Sequence, residues 1–151
     1  SGEREVRARD FFQPDGIRRN VLERGEILAR ISFPQRAAAA RSGYEKLSLR
    51  DSFDFPDAGV AVALWLDGDV VEEIQIAVGA VSMIPLLFPK VTAKLRGQPL
   101  SQERINAVAA EVAAMTQPVK NVMFSPQYRR KMVGVMTKRL LSRLVSRLVS
   151  P

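Results

Sequence analysis

Gly43-Tyr44-Glu45-Lys46-Leu47-Ser48-Leu49-Arg50 alternates along the chain, with Leu47 and Leu49 on one side and Tyr44, Lys46 and Ser48 on the other. Residues 59–66, Gly-Val-Ala-Val-Ala-Leu-Trp-Leu, are β-branched and apolar, and residues 70–83 place Ile74, Ile76 and Val78 on one face. Successive side chains of a strand point to opposite faces, so all three runs read as strands. Asp67-Gly68 lies between the second and third as a type I′ hairpin signal, and an antiparallel meander follows. Gly79, inside the last strand, predicts a bulge or the close approach of another backbone.

Beyond Pro89 the period changes. Val91 and Leu95, stopped by Gly97, predict a short helix. Ser101 can cap a second helix, Glu103 in its first turn suits the helix dipole, and Ile105, Val108, Val112 and Met115 recur at helical spacing before Gln117-Pro118. A third helix runs from about Pro126 to about Val149, with Val133, Met136, Leu140, Leu144 and Leu148 as its apolar stripe. Ahead of the meander, Ile27, Ala29, Ile31 and Phe33 alternate along residues 26–33 and predict a short strand ended by Pro34. Residues 35–42 read as a variable surface loop. Strands precede helices without βαβ alternation, so the fold class is α+β: a small antiparallel sheet of three to four strands packed against a layer of about three helices.

With 151 residues, 46% hydrophobic and 26% charged, the chain has the composition of one globular domain, and no run approaches the roughly 18 apolar residues of a membrane span. It has no Cys and no His. Thiolate or imidazole ligation of zinc and iron–sulfur clusters, disulfides, and Cys–His or Ser–His–Asp catalysis are thereby excluded. The start at Ser-Gly reads as that of a fragment or processed product, and cytoplasm is the default location. The formal charge of +7 is uneven, because residues 126–151 hold seven basic residues and no acid while residues 1–125 balance. The basic pI therefore belongs to the last helix and does not argue for nucleic-acid binding by the whole chain.

Phosphate loops, dinucleotide fingerprints and metal-ligand spacings are all missing from the sequence. Asp51 and Asp54 can form a pair of acids, but after Arg50 a loop-fixing ion pair is the better reading. Lys46 is a strand-borne cation flanked by Tyr44 and Ser48, able to point into a ligand site or simply into solvent. Arg139, Arg143 and Arg147 form a ridge beside the apolar stripe of the last helix, as in an interfacial or phosphate-binding helix. Without aromatic residues in its last twenty positions, packing against the core or a partner is favoured.

Several segments together resemble the C-terminal domain of the FAD-binding medium subunit of molybdenum hydroxylases, the carbon monoxide dehydrogenase and xanthine dehydrogenase family. They are Leu22-Glu23-Arg24-Gly25-Glu26-Ile27-Leu28, Gly43-Tyr44-Glu45-Lys46-Leu47-Ser48 with Arg50 and Asp54, the strand pair around Asp67-Gly68, Ile76-Ala77-Val78-Gly79-Ala80-Val81, Leu95-Arg96-Gly97-Gln98-Pro99-Leu100 and Ser125-Pro126-Gln127-Tyr128-Arg129-Arg130. Residues 84–90 are more apolar than that family's usual stretch, and its common Glu near Ala93 is missing.

The resemblance implies that Leu28 lies against the isoalloxazine ring of FAD, that Lys46 approaches the flavin's polar edge, and that Arg50 and Asp54 belong to the charged loop beside it. It implies that residues 1–42 are the tail of a preceding FAD-binding domain with its linker, and that residues 43–151 are the C-terminal domain. Only part of the FAD site would then lie here, the Gly-rich pyrophosphate loops being upstream. Molybdopterin and 2Fe–2S clusters would sit on a large and a small partner subunit, and the flavin would relay electrons from those clusters to an acceptor. The competing readings are a docking module without cofactor contact and a basic amphipathic helix that binds membrane or nucleic acid.

Overall fold

A computed structural model describes residues 2–50, 53–120 and 123–146. Its centre is a four-stranded antiparallel sheet in the order β1 (Arg41–Leu47), β2 (Ala58–Asp67), β3 (Val70–Gly79) and β4 (Leu86–Leu87). Helix α1 (Ala8–Phe11) precedes the sheet; α2 (Pro89–Thr92), α3 (Gln102–Met115) and α4 (Pro126–Ser146) follow it, and α3 and α4 pack together across one face. The α+β meander backed by helices is therefore the observed fold, with the short β4 as the fourth strand.

Alternation fixes which face is covered. Val60, Val62 and Leu64 of β2 and Ile74, Ile76 and Val78 of β3 are buried under the helices, while Ala61, Ala63, Gln75 and Ala77 face outward. Helix α3 contributes Ile105, Val108 and Val112, and α4 contributes Val133, Met136, Leu140 and Leu144. Fully burying a side chain of this size stabilises by about 1.5–3 kcal/mol. Met115, expected in the same stripe, is exposed, and the buried position one turn after Val112 is taken by Thr116 at the helix end. Ser101 caps α3 by accepting from the Arg104 N–H at 3.3 Å, and Glu103 occupies its first turn. Leu148 and Arg147 lie outside the described residues.

Gly43 lets α4 approach the sheet, since a Cβ there would stand 2.8 Å from Leu140 Cδ2. Gly134 does the same between α3 and α4, where a Cβ would stand 3.2 Å from Ala113 Cβ.

Four local expectations are corrected. Residues 27–33 form no strand; Ile27, Ile31 and Phe33 are exposed, because a strand needs a neighbouring edge and none reaches them. The expected loop at 35–42 is a 3₁₀ turn over Gln35–Ala39 that leads into β1. In the hairpin, Asp67 pairs with Val70, so Gly68 and Asp69 are the central residues; positive φ at Gly68 alone is the type II′ pattern, not I′. Gly79 ends β3 with nothing within 4 Å of where its Cβ would be. The ladder irregularity falls at Trp65/Leu66, and the chain turns at Ala80, φ 63°.

Candidate functional site

The loop between β1 and β2 is built around Asp54. Its carboxylate accepts from the backbone N–H of Arg50 at 3.2 Å and of Phe55 at 3.0 Å, and lies 3.6 Å from Arg50 Nε. Desolvation pushes this carboxyl upward, but the Arg50 guanidinium and the two N–H donors together outweigh it and hold it below its ordinary value. Lys46 reaches the same loop from β1, its Nζ donating to the Asp54 carbonyl at 3.0 Å, and Ser48 Oγ donates to the Arg50 carbonyl at 3.0 Å. The structure thus brings Lys46, Arg50 and Asp54 together. The loop-fixing ion pair expected of Arg50 is formed with Asp54, whereas Asp51 lies outside the described residues.

Lys46 projects from the outer face of β1, away from the helices, as do Ser42 and Tyr44. The cluster is consequently open on the side where the loop presents Leu49, Phe53 and Phe55, all exposed. Two cations beside exposed apolar and aromatic groups suit a flat, partly polar ring system with an electron-rich edge. Leu28 stands outside this bonded cluster, 56% exposed in the segment ahead of Pro34.

Next to the cluster, the outer sheet face holds a shallow groove of about 440 Å³ lined by Tyr44, Ala61, Ala63, Gln75, Ala77 and Leu87 among others. Tyr44 lies across β2 here: a Cβ at Gly59 would meet its Oη at 2.6 Å. Farther along β2, Trp65 donates Nε1–H to the Arg36 carbonyl at 2.9 Å and lies beneath the Arg36 guanidinium, 4.8 Å from the ring centroid.

Arg129 joins three separate segments and carries no periodic signal in the sequence. It is 2% exposed at the start of α4 and donates to three carbonyls: Asp57 at 2.7 Å, Val119 at 2.7 Å and Ala80 at 2.5 Å. It therefore ties the entry to β2, the exit from β3 and the approach to α4 at one point. Its only signal was its place in Ser125-Pro126-Gln127-Tyr128-Arg129-Arg130. On α4, Arg143 pairs with Glu45 of β1 at 3.3 Å, so the basic ridge is partly turned to the sheet. Among the described residues no cluster of three His, Cys, Asp or Glu is arranged to hold a metal ion, and no helix is long and apolar enough to cross a membrane.

Comparison with known proteins bears on this arrangement. A family model described as the CO dehydrogenase flavoprotein C-terminal domain matches residues 43–144. The carbon monoxide dehydrogenase medium chain of Hydrogenophaga pseudoflava is 31% identical over 142 residues, 94% of this chain and 48% of its own length. That of Afipia carboxidovorans is 32% identical over 146 residues, 97% of this chain and 50% of its own. The solved carbon monoxide dehydrogenase of H. pseudoflava superposes with a TM-score of 0.65 at 31% identity, over 70% of this chain and 37% of that one. The chain spans about half the length of the curated relatives it matches.

Proposed function

Since the chain belongs to the CO dehydrogenase flavoprotein C-terminal domain family, we propose that it is the C-terminal half of the FAD-binding medium subunit of a cytoplasmic molybdenum hydroxylase. Residues 43–151 complete the flavin site, and residues 1–42 are the tail and linker of the FAD-binding domain ahead of it. In this reading Lys46, Arg50 and Asp54 form the charged border of the flavin and Leu28 packs on its ring. Large molybdopterin-binding and small 2Fe–2S subunits are the partners. When bound, FAD supplies the two-electron chemistry that joins the clusters to an acceptor. The chain's own part is placement and electrostatics: Asp54 fixes the loop, and Lys46 and Arg50 hold positive charge at its open side.

The observation that carries the reading is the family match through residues 43–144 together with the assembled Lys46–Arg50–Asp54 loop inside it. FAD titration tests it. The complete medium chain is expected to retain FAD, whereas the 151-residue chain, which holds one border of the site, is expected to bind it more weakly than micromolar. Submicromolar affinity of the 151-residue chain by fluorescence quenching contradicts the proposal.

A further inference from the structure

Residues 34–40 join the segment that carries Leu28 to the strand that carries Lys46, and their composition leaves one side chain able to hold them. The 3₁₀ turn over Gln35–Ala39 reads Gln-Arg-Ala-Ala-Ala, and such turns have poor hydrogen-bond geometry of their own. Arg36 supplies the anchorage. Its carbonyl accepts from Trp65 Nε1–H at 2.9 Å, its guanidinium lies 4.8 Å from the centroid of the same indole ring, and it pairs with Glu73. Among the described residues, these are the hydrogen bonds and the ion pair that join residues 2–40 to the sheet and its helices. All the others made by residues 2–40 stay within that stretch.

The sheet is built to receive the turn. Trp65 and Glu73 are register partners across β2 and β3 on the outer face, and the ladder irregularity at Trp65/Leu66 falls where a bulge re-aims a side chain. Gln75 donates to Glu73 Oε1 at 2.8 Å and braces the carboxylate that faces Arg36. An exposed ion pair contributes little by itself. Here one half-buried indole supplies both a hydrogen bond to the backbone and a ring face to the cation, so three contacts of different kinds converge on one residue. Lys46 pairs with Gly59, six residues before Trp65 on β2, which puts the anchorage roughly 20 Å from Lys46 on the same face of the sheet.

We propose that Arg36, Trp65 and Glu73 are positioning residues that form a latch: they fix the angle at which the chain ahead of Pro34 leaves the sheet, and thereby the gap between Leu28 and Lys46. The consequence for FAD rests on the reading of the flavin site given above. In that reading Leu28 and the Lys46–Arg50–Asp54 loop border one ring system from the two sides of the linker. The latch holds these borders in one arrangement before FAD arrives, so that less ordering is left for binding.

The chain has no Cys, so two introduced ones take spin labels without interference. Ser32→Cys and Lys138→Cys place them at exposed positions, one ahead of the turn and one on α4. Pulsed dipolar EPR on the 151-residue chain is expected to give one narrow distance distribution. Arg36→Ala and Trp65→Phe are each expected to broaden it at least about twofold, and Arg36→Lys to broaden it less, since the cation stays. The urea midpoint of Arg36→Ala, read by circular dichroism, is expected to remain that of the parent, because this side chain lies outside the core. A distribution already broad in the parent, or widths unchanged by the variants, overturns the latch; so does broadening with a lowered midpoint, because the sheet itself has then loosened. In the complete medium chain, Arg36→Ala is expected to weaken FAD binding about tenfold. Broadening with FAD affinity untouched supports the latch and removes Leu28 from the flavin site, and a complete chain without FAD sinks the flavin reading while the widths still decide the latch.

Discussion

Lys46 is placed by its strand and by one bond to the Asp54 carbonyl, which leaves its ammonium at the open side of the loop. Against a flavin, a positive charge there favours the state carrying more negative charge, the reduced one. At about 4 Å and an effective dielectric of about 20 the bare Coulomb term is roughly 4 kcal/mol, and screening with desolvation leaves about 1–2 kcal/mol. With 30 mV equal to about 1.4 kcal/mol for a two-electron couple, Lys46→Ala is expected to lower the flavin midpoint of the holoenzyme by roughly 20–45 mV. Lys46→Arg keeps the charge but not its geometry and recovers part of the shift; a redox titration unchanged by either variant removes Lys46 from the site. Glu26 offers a separate test in the 151-residue chain itself. The Arg4 guanidinium first, and then the Glu23 N–H, lower its carboxyl from the ordinary 4.5 to about 2. A carboxyl depressed in the folded state stabilises above its unfolded value, so the Arg4–Glu26 tie is intact above about pH 4.5 and is lost as pH falls toward 2. NMR titration of the Glu26 carboxyl is expected to show the low midpoint, and Arg4→Ala to return it toward 4.5.

Helix α4 rests on β1 and β2 through a contact that a single methyl would disturb: Leu140 occupies the space a side chain at Gly43 would need. Gly43→Ala is expected to cost about 1–3 kcal/mol by overpacking and Leu140→Ala about 2–5 kcal/mol by leaving a cavity. Because each relieves the other, the double variant should lose less than the sum, by 0.5 kcal/mol or more in thermal or urea unfolding; additive losses contradict the contact. Nothing in the sequence near Gly43 discloses this, since its partner is almost a hundred residues away. What was legible has a local cause. The strands of residues 43–79 announce themselves because one face meets helices and the other does not, and Lys46, Arg50 and Asp54 converge because they share one strand and its loop. The same alternation at residues 26–33 misled, since pattern shows what a segment can pair with and not whether the partner is there. The hairpin turn shifted by one residue because strand pairing through Asp67↔Val70, not the dipeptide, chose the turn. Arg129 leaves no such mark, because a guanidinium satisfied by carbonyls of distant loops has no periodic partner in the sequence.

Positive charge over the whole molecule is less available than its count. All seven basic residues of the C-terminal stretch follow Pro126, yet Arg129 is buried, Arg130 donates to the Thr116 carbonyl at 2.9 Å and Arg143 is paired with Glu45. Lys131, Lys138 and Arg139 remain exposed on α4, and Arg147 lies outside the described residues. The apolar side of the same helix is already committed to the core through Val133, Met136, Leu140 and Leu144, which removes the face an interfacial membrane helix would insert. Phosphate binding by this helix is therefore expected to be weak and without sequence preference. For duplex DNA the logarithm of the affinity falls against the logarithm of salt with a slope of about −0.9 per phosphate neutralised, so the three exposed cations of the described part of α4 predict a slope of about −3. Seven acting together would give about −6. Fluorescence anisotropy across a salt series distinguishes the two, and a slope near −6, or tight binding of one defined sequence at physiological salt, would overturn this expectation.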